Sequence, residues 1–490
     1  MLLSTEFGNS TFEVRTILLG PDPFPAKARL GRTCDSPQND PLLLRNPKCR
    51  QCMNSIRFVD AISDAFPAEF PYGLQALHSA NVATRGPLLP TTARPVSTGA
   101  LTRKLEDFLR ANEQMQVLET PFVVVDLDVV AERYNALRSA LPQADVFYAV
   151  KANPAVEILQ MLVAQGSQFD VASPAEIDMC LAAGADPSAI SFGNTIKKAR
   201  HIADAYAKGV RLFAFDAEEE LRKLIELAPE ATVFCRVLSD GEGADWPLSR
   251  KFGCETEEAL RLLRIAAASG MKTGMSFHVG SQQRDLTAWD RSLAIVEKVA
   301  LTLAAEGHFL SLVNLGGGFP GIYQDNMPHI DQYGEAITVA INERLGHVFG
   351  DAMPRFLAEP GRYLVADAGV LRAEVVLVSR KHELDFKRWV FLDCGKFGGL
   401  AETMDEAIRY RLRTRYDVIQ DSNGHVPTGP VTIAGPTCDS ADVLYDKTDY
   451  ELPLALTSGD KVDFMSAGAY TTTYSAVAFN GFAPLQQICI

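Results

Sequence analysis

The chain of 490 residues is 47% hydrophobic and carries a formal charge of −14, enough apolar content for several cores at a length that suggests two or three domains. A diffuse acidic excess excludes nucleic acid and anionic membrane as partners, because either calls for clustered Lys/Arg. Nine cysteines without regular spacing fit reduced thiols rather than a disulfide framework, and no apolar run approaches the roughly 18 residues that cross a bilayer. With no basic start or apolar centre of a secretion signal, a soluble cytoplasmic protein is expected.

Residues 1–101 read as a loosely ordered extension. The first hundred hold 11 of the 27 prolines and ten Lys/Arg against eight Asp/Glu, with no sustained helical or strand period. Cys49-Arg-Gln-Cys52 has metal-ligand spacing, but no second Cys or His pair completes a four-ligand site, so no metal is expected. Glu6, Glu13 and Asp22 interrupt a start whose only base is Arg15, which argues against a mitochondrial address.

Residues 102–360 carry the pattern of a β/α barrel with an N-terminal lead-in. Apolar strands are predicted at Val146–Val150, Phe169–Ala172, Ile190–Gly193, Leu212–Phe215 and Val233–Val237, their centres recurring roughly every 22 residues. Helical patterns such as Pro174–Gly184 and Ala217–Leu227 lie between them, and a strand-helix-strand repeat requires a parallel sheet. Further strands at Met275–Val279, Leu312–Leu315 and Arg355–Ala358 bring the count to eight, that of a closed TIM-like barrel. Residues 361–490 turn to β-rich runs at Ala373–Ser379, Arg388–Leu392, Val431–Ala434 and Lys461–Ser466, a mostly β C-terminal domain. The fold class is therefore α/β, a parallel barrel followed by a β domain. The strand Phe122–Asp126 suits either unit.

In such a barrel the carboxyl ends of the strands gather the reactive groups at one mouth. They would present Lys151, Asp170, Ser173, Asn194, Arg236, His278, Gly316-Gly-Gly318, and Glu359 followed by Gly361 and Arg362. Each has an ordinary reading beside a chemical one. Lys151 suits a surface amine capping a buried strand, or a Schiff-base lysine. The glycines suit a flexible turn, or bare N–H groups approaching a phosphate with Arg362 as the matching charge. Glu359 suits a salt bridge to arginine, or a carboxylate keeping a pyridine nitrogen protonated. His278 suits a hydrogen-bonded core histidine, or a ring stacked on a planar cofactor.

The order Tyr148-Ala-Val-Lys-Ala-Asn153, Phe169-Asp-Val-Ala-Ser173, Ser276-Phe-His-Val-Gly-Ser281, Leu315-Gly-Gly-Gly-Phe-Pro-Gly321, Ala358-Glu-Pro-Gly-Arg-Tyr363, Gly435-Pro-Thr-Cys-Asp439, Gly468-Ala-Tyr470 and Phe479-Asn-Gly-Phe482 resembles the pyridoxal-phosphate-dependent ornithine, diaminopimelate and arginine decarboxylases on an alanine-racemase-like barrel. The resemblance covers residues from about 102 to the C-terminus. It implies that Lys151 holds pyridoxal 5'-phosphate as a Schiff base, that Glu359 pairs with the pyridine nitrogen, that His278 stacks on the ring and that Asp170 lies near the lysine. It places the phosphate with Ser281, Gly318, Arg362 and Tyr470, and puts Gly316, Gly317 and Gly361 in the same cofactor site. Cys438 matches the family's proton donor, which reaches in from the other subunit of a head-to-tail homodimer.

The distal end of the substrate separates the activities. Ornithine and lysine bring an ammonium and arginine a guanidinium, all suited to acids, whereas diaminopimelate adds a second carboxylate that needs a cation. Asp439, Asp442 and the run Glu402-Thr-Met-Asp-Glu406 supply acids, with Glu406 the first candidate for the substrate-binding acid and Asp405 the next. The Cys438-Asp-Ser440 form favours a diamine product over the Cys-Glu-Ser of diaminopimelate enzymes, and the inserted domains of arginine enzymes are missing. The resemblance thus implies decarboxylation of L-ornithine to putrescine, in polyamine biosynthesis, followed by lysine or dual lysine/ornithine activity, then diaminopimelate. A pyridoxal-phosphate-binding homologue without turnover would lack Lys151 or Cys438, and a racemase would need a tyrosine as second base where Cys438 stands. Two departures touch the pocket edge: Phe397 replaces a common Tyr, and Trp246-Pro-Leu-Ser-Arg-Lys-Phe-Gly253 replaces the usual Arg-Leu-Ser form.

Overall fold

The computed structural model describes residues 101–247, 251–417 and 426–490. The extension with Cys49 and Cys52, and Leu248-Ser-Arg250 of the departing segment, lie outside the described residues.

Eight parallel strands close into a barrel: Ala144–Ala149, Gln168–Val171, Ile190–Phe192, Leu212–Phe215, Thr232–Arg236, Lys272–Ser276, Leu312–Asn314 and Arg355–Ala358. Each pairs with its sequence neighbour, and the last closes on the first through Phe356–Ala358 against Ala144–Val146. Both faces of these strands are covered, which is why they read as unbroken apolar runs. Phe147, Leu212, Ala214, Phe234, Leu312 and Leu357 form a separate buried cluster drawn from strands around the ring, the packed interior of the barrel.

The strand ends differ from the expected bounds where the chemistry begins. The first barrel strand stops at Ala149, and Lys151 sits in a 3₁₀ turn over Val150–Ala152. The sixth stops at Ser276, so His278 belongs to the loop beyond it. Ser173 caps the helix Pro174–Ala182 by accepting from Glu176 N at 3.3 Å, and the Glu176 carboxylate returns to accept from Ala172 N at 2.6 Å. The residues between strand and helix are thereby fixed beside Asp170.

The second layer is an eight-stranded sheet. Phe122–Val125 belongs to it, pairing antiparallel with Gly369–Arg372 and parallel with Gln486–Cys489. The sheet also contains Val443–Pro453 and Leu412–Thr414, strands that the sequence pattern did not disclose. Its turn after Lys461–Met465 docks on the barrel mouth: Tyr470 N donates to Ala152 O at 2.8 Å, and Asn153 Nδ2 donates to Gly468 O at 2.8 Å. Gly369 and Gly468 allow this closeness, since a Cβ on Gly369 would lie 2.2 Å from the Gly468 Cα. Among the described residues no helix is long and apolar enough to cross a membrane.

Candidate active site

The 3₁₀ turn carries Lys151 into the mouth, where its Nζ lies 3.0 Å from Asp170 Oδ2 and half of its side chain is open to the cavity. Burial opposes the ammonium charge, but Asp170, Tyr470 and Glu359 outweigh it and hold Lys151 above the ordinary lysine range. Asp170 stands near the end of the second strand, 4% exposed, and its other oxygen, Oδ1, is buried without a partner among the described residues. Gly193, at the end of the third strand, makes room for that oxygen: a Cβ there would lie 2.0 Å from it.

Glu359 follows the eighth strand. Its N–H donates to Gly316 O at 2.8 Å, and its Oε1 accepts from Asn314 Nδ2 at 2.5 Å. Burial first, and the negative Asp170 second, push its carboxyl up to about 7, against the opposing pull of Lys151. It is therefore a buried carboxyl short of a cation. His278 is driven the other way: burial, then the positive Arg236 and Lys151, hold its imidazole well below the usual range and keep it neutral. Its Nδ1 accepts from Gly280 N at 3.1 Å, which leaves the ring proton on Nε2, and that atom lies 3.1 Å from where a Cβ on Gly317 would be.

Gly316 and Gly318 have φ of +67° and +110°. A Cβ on Gly318 would lie 2.7 Å from Gly280 O and 2.8 Å from Val279 Cγ2, so the loop is bare because it must be. Beside it Arg362, 3% exposed, points Nε and one terminal nitrogen at Ser281 Oγ, 3.4 and 3.2 Å away. Tyr470 completes this wall: its hydroxyl lies 2.9 Å from where a Cβ on Gly361 would be, and its ring lies 4.9 Å from the Arg362 guanidinium carbon.

Lys151, Asp170, His278, Ser281, Gly316–Gly318, Glu359, Gly361, Arg362 and Tyr470 are thus brought to one mouth, while the acids proposed for the substrate divide. Glu406 does not present a free carboxylate: its oxygens accept from the N–H groups of Asp446, Lys447 and Thr448 at 2.8, 2.7 and 2.6 Å and from Thr448 Oγ1 at 2.6 Å. Asp442, 2% exposed, is likewise spent, accepting from Lys396 N at 2.8 Å and from Thr437 N and Oγ1 at 3.1 and 2.7 Å. Both are corrections to the expected roles, because carboxylates saturated by backbone donors serve to fold loops. Asp405 and Asp439 are exposed, and among the described residues the Asp439 carboxylate bonds only within its own turn, accepting from Ala441 N at 2.9 Å. Cys438 is exposed on the loop that Asp442 braces, and its N–H donates to Asn480 Oδ1 at 2.9 Å. Phe397 packs on Phe479, ring centroids 4.9 Å apart.

Three site residues have roles that were not expected of them. Asn314 holds Glu359, Tyr323 Oη accepts from Arg362 at 2.9 Å, and Glu402 accepts from both terminal nitrogens of Arg362 at 2.6 and 2.5 Å. Asn314 was signalled by polarity inside the apolar run Leu312–Leu315, and Glu402 only as one acid of the run 402–406.

The site fits pyridoxal phosphate on its own features. A glycine cradle beside a buried arginine and a serine suits the phosphate, a buried carboxyl short of a cation suits a protonated pyridine nitrogen, and the unpartnered Asp170 Oδ1 faces a missing donor.

A family model described as the pyridoxal binding domain of pyridoxal-dependent decarboxylases matches residues 127–366. The lysine/ornithine decarboxylase of Selenomonas ruminantium is 36% identical over 366 residues, 74% of this chain and 88% of the relative. The ornithine decarboxylase of Caenorhabditis elegans is 31% identical over 387 residues, 76% of this chain and 88% of the relative. Among solved structures, the lysine/ornithine decarboxylase of Vibrio vulnificus complexed with cadaverine superposes with a TM-score of 0.69 at 30% identity, covering 80% of this chain and 100% of that one. With the barrel, the β sheet and the cofactor-shaped mouth in place, the chain belongs to the pyridoxal-phosphate-dependent ornithine/arginine decarboxylase family and is a carboxy-lyase.

Proposed function

We propose that this enzyme decarboxylates L-ornithine to putrescine, with L-lysine as a second substrate. The observation that carries the choice is the Cys438-Asp439 pair, an exposed thiol and an adjacent exposed carboxylate on a braced loop. An exposed carboxylate with one backbone donor, Ala441 N, on one of its oxygens suits the distal ammonium of a basic amino acid and repels the second carboxylate of diaminopimelate. Lysine is kept because the relative from Selenomonas ruminantium is named for both substrates.

When bound, the cofactor supplies the electron sink for the pair left by the departing carboxylate. In this reading Lys151 is the amine that anchors it, and Asp170 Oδ2 accepts from its Nζ at 3.0 Å. Glu359, steadied by Asn314, keeps a proton on the ring nitrogen. The neutral His278 offers a flat face to the ring. Ser281, Gly316–Gly318, Arg362 and Tyr470 hold the phosphate, with Gly361 admitting the Tyr470 hydroxyl. Cys438, contributed by the partner subunit of a homodimer, returns the proton to the α-carbon.

Purified protein supplied with pyridoxal phosphate should release carbon dioxide and the diamine from ornithine with the highest kcat/KM, and from lysine next. Turnover of diaminopimelate or arginine alone would sink the substrate assignment.

A further inference from the structure

Arg362 is the phosphate-binding cation of the reading above, yet most of its guanidinium is already committed inside the protein. Its two terminal nitrogens donate to the two oxygens of Glu402 at 2.6 and 2.5 Å, and one of them also donates to Tyr323 Oη at 2.9 Å. The Arg362 and Glu402 side chains are only 3% and 6% exposed. A guanidinium has five N–H groups in a rigid fork, so fixing one edge aims the other. The edge left over, Nε and one terminal nitrogen, faces Ser281 Oγ at 3.4 and 3.2 Å, two long contacts sharing a single hydroxyl. Those donors are under-used in a structure that otherwise pairs this residue closely.

Resting on the phosphate reading of Arg362, we propose that Glu402 is a positioning residue for the cofactor: it grips one edge of the Arg362 fork so that the opposite edge meets the phosphate beside Ser281 and Gly316–Gly318. Glu402 does not itself reach the reacting atoms in this arrangement; it acts through Arg362. Its two influences on the phosphate have opposite signs. As a fixed bidentate partner it pre-orients the donors and strengthens binding. As a negative charge it offsets the guanidinium and weakens attraction for an anion. Because both groups are sealed from water and the grip is two-pronged, orientation wins, and removing Glu402 weakens binding even though it leaves the site more positive.

The test compares pyridoxal phosphate with pyridoxal, which lacks the phosphate, by titrating the full-length protein freed of cofactor and following protein fluorescence. Glu402→Gln should weaken pyridoxal phosphate by about tenfold to a hundredfold and leave pyridoxal unchanged. Combined with Arg362→Lys it should cost no more than Arg362→Lys alone, the non-additivity expected of a residue acting through another. Unchanged or tighter pyridoxal phosphate binding, or an equal loss for pyridoxal, overturns the positioning role. If Glu402→Gln fails to fold, Glu402→Asp decides: it keeps the charge but is one methylene short of the fork, and the same selective loss is expected. Should the unmodified protein bind pyridoxal no more weakly than pyridoxal phosphate, the phosphate reading of Arg362 falls and takes the proposal with it, an outcome separate from a Glu402 variant without effect.

Discussion

Glu359 and His278 share one cavity and are displaced in opposite directions by the same burial, because burial penalises whichever form carries charge. For Glu359 this has a measurable consequence. A carboxyl raised from 4.5 to about 7 on folding favours the folded protein while it stays protonated, so its contribution is full below pH 4.5 and is lost as pH rises through about 7. Thermal melts of cofactor-free protein at about pH 5 and about pH 8 should show that fall, and Glu359→Gln, neutral throughout, should flatten it. An unchanged slope would assign the pH dependence to other groups. Lys151, His278, the glycines, Glu359 and Arg362 were legible because strand ends can be counted and a barrel collects them at one mouth. Glu402 was visible only as one acid in a run, since its partner Arg362 lies 40 positions earlier and spacing carries no sign of that contact. Glu406 misled for the converse reason: its acidity was plain, and the backbone donors of residues 446–448 that consume it were not.

At the scale of elements, the loop after the seventh strand has little room to accept change. Gly318→Ala would place a methyl against the Gly280 carbonyl in a backbone region that favours glycine, and should cost about 1–3 kcal/mol of stability. It should also lower the fraction of pyridoxal phosphate retained through dialysis, read by absorbance, whereas strain confined to stability would leave retention intact. The barrel strands were predictable because strands covered on both faces are written as apolar runs. The second sheet was only half legible. Val443–Pro453 carries a charged centre, Asp446-Lys-Thr-Asp449, and owes its extended form to pairing with Thr428–Ala434 rather than to its own pattern. Phe122–Val125 had the right composition, but its partners lie about 245 and 365 residues away, beyond any local signal.

For the whole molecule, the surface around Cys438 is the notable one. Val477, Phe479 and Phe482 are exposed apolar side chains flanking the Asn480 that holds the Cys438 loop. An apolar surface of this kind marks an interaction site, in keeping with the proposed homodimer whose sites take Lys151 from one subunit and Cys438 from the other. Mixing Lys151→Ala and Cys438→Ala subunits should then yield more activity than either variant alone, because one site of each mixed dimer regains both residues. Activity equal to the average of the two would mean that each site is built within one chain.

The pairing of Phe122–Val125 between Gly369–Arg372 and Gln486–Cys489 also fixes an order of assembly during synthesis. The eight barrel strands have all been made once residue 358 is joined, yet Leu127 still lacks the carbonyl of Ile490 that its N–H will find at 2.9 Å. Among the described residues the first strand is thus among the last to gain both neighbours, and its place in the sheet is complete only once Gln486–Cys489 has been made.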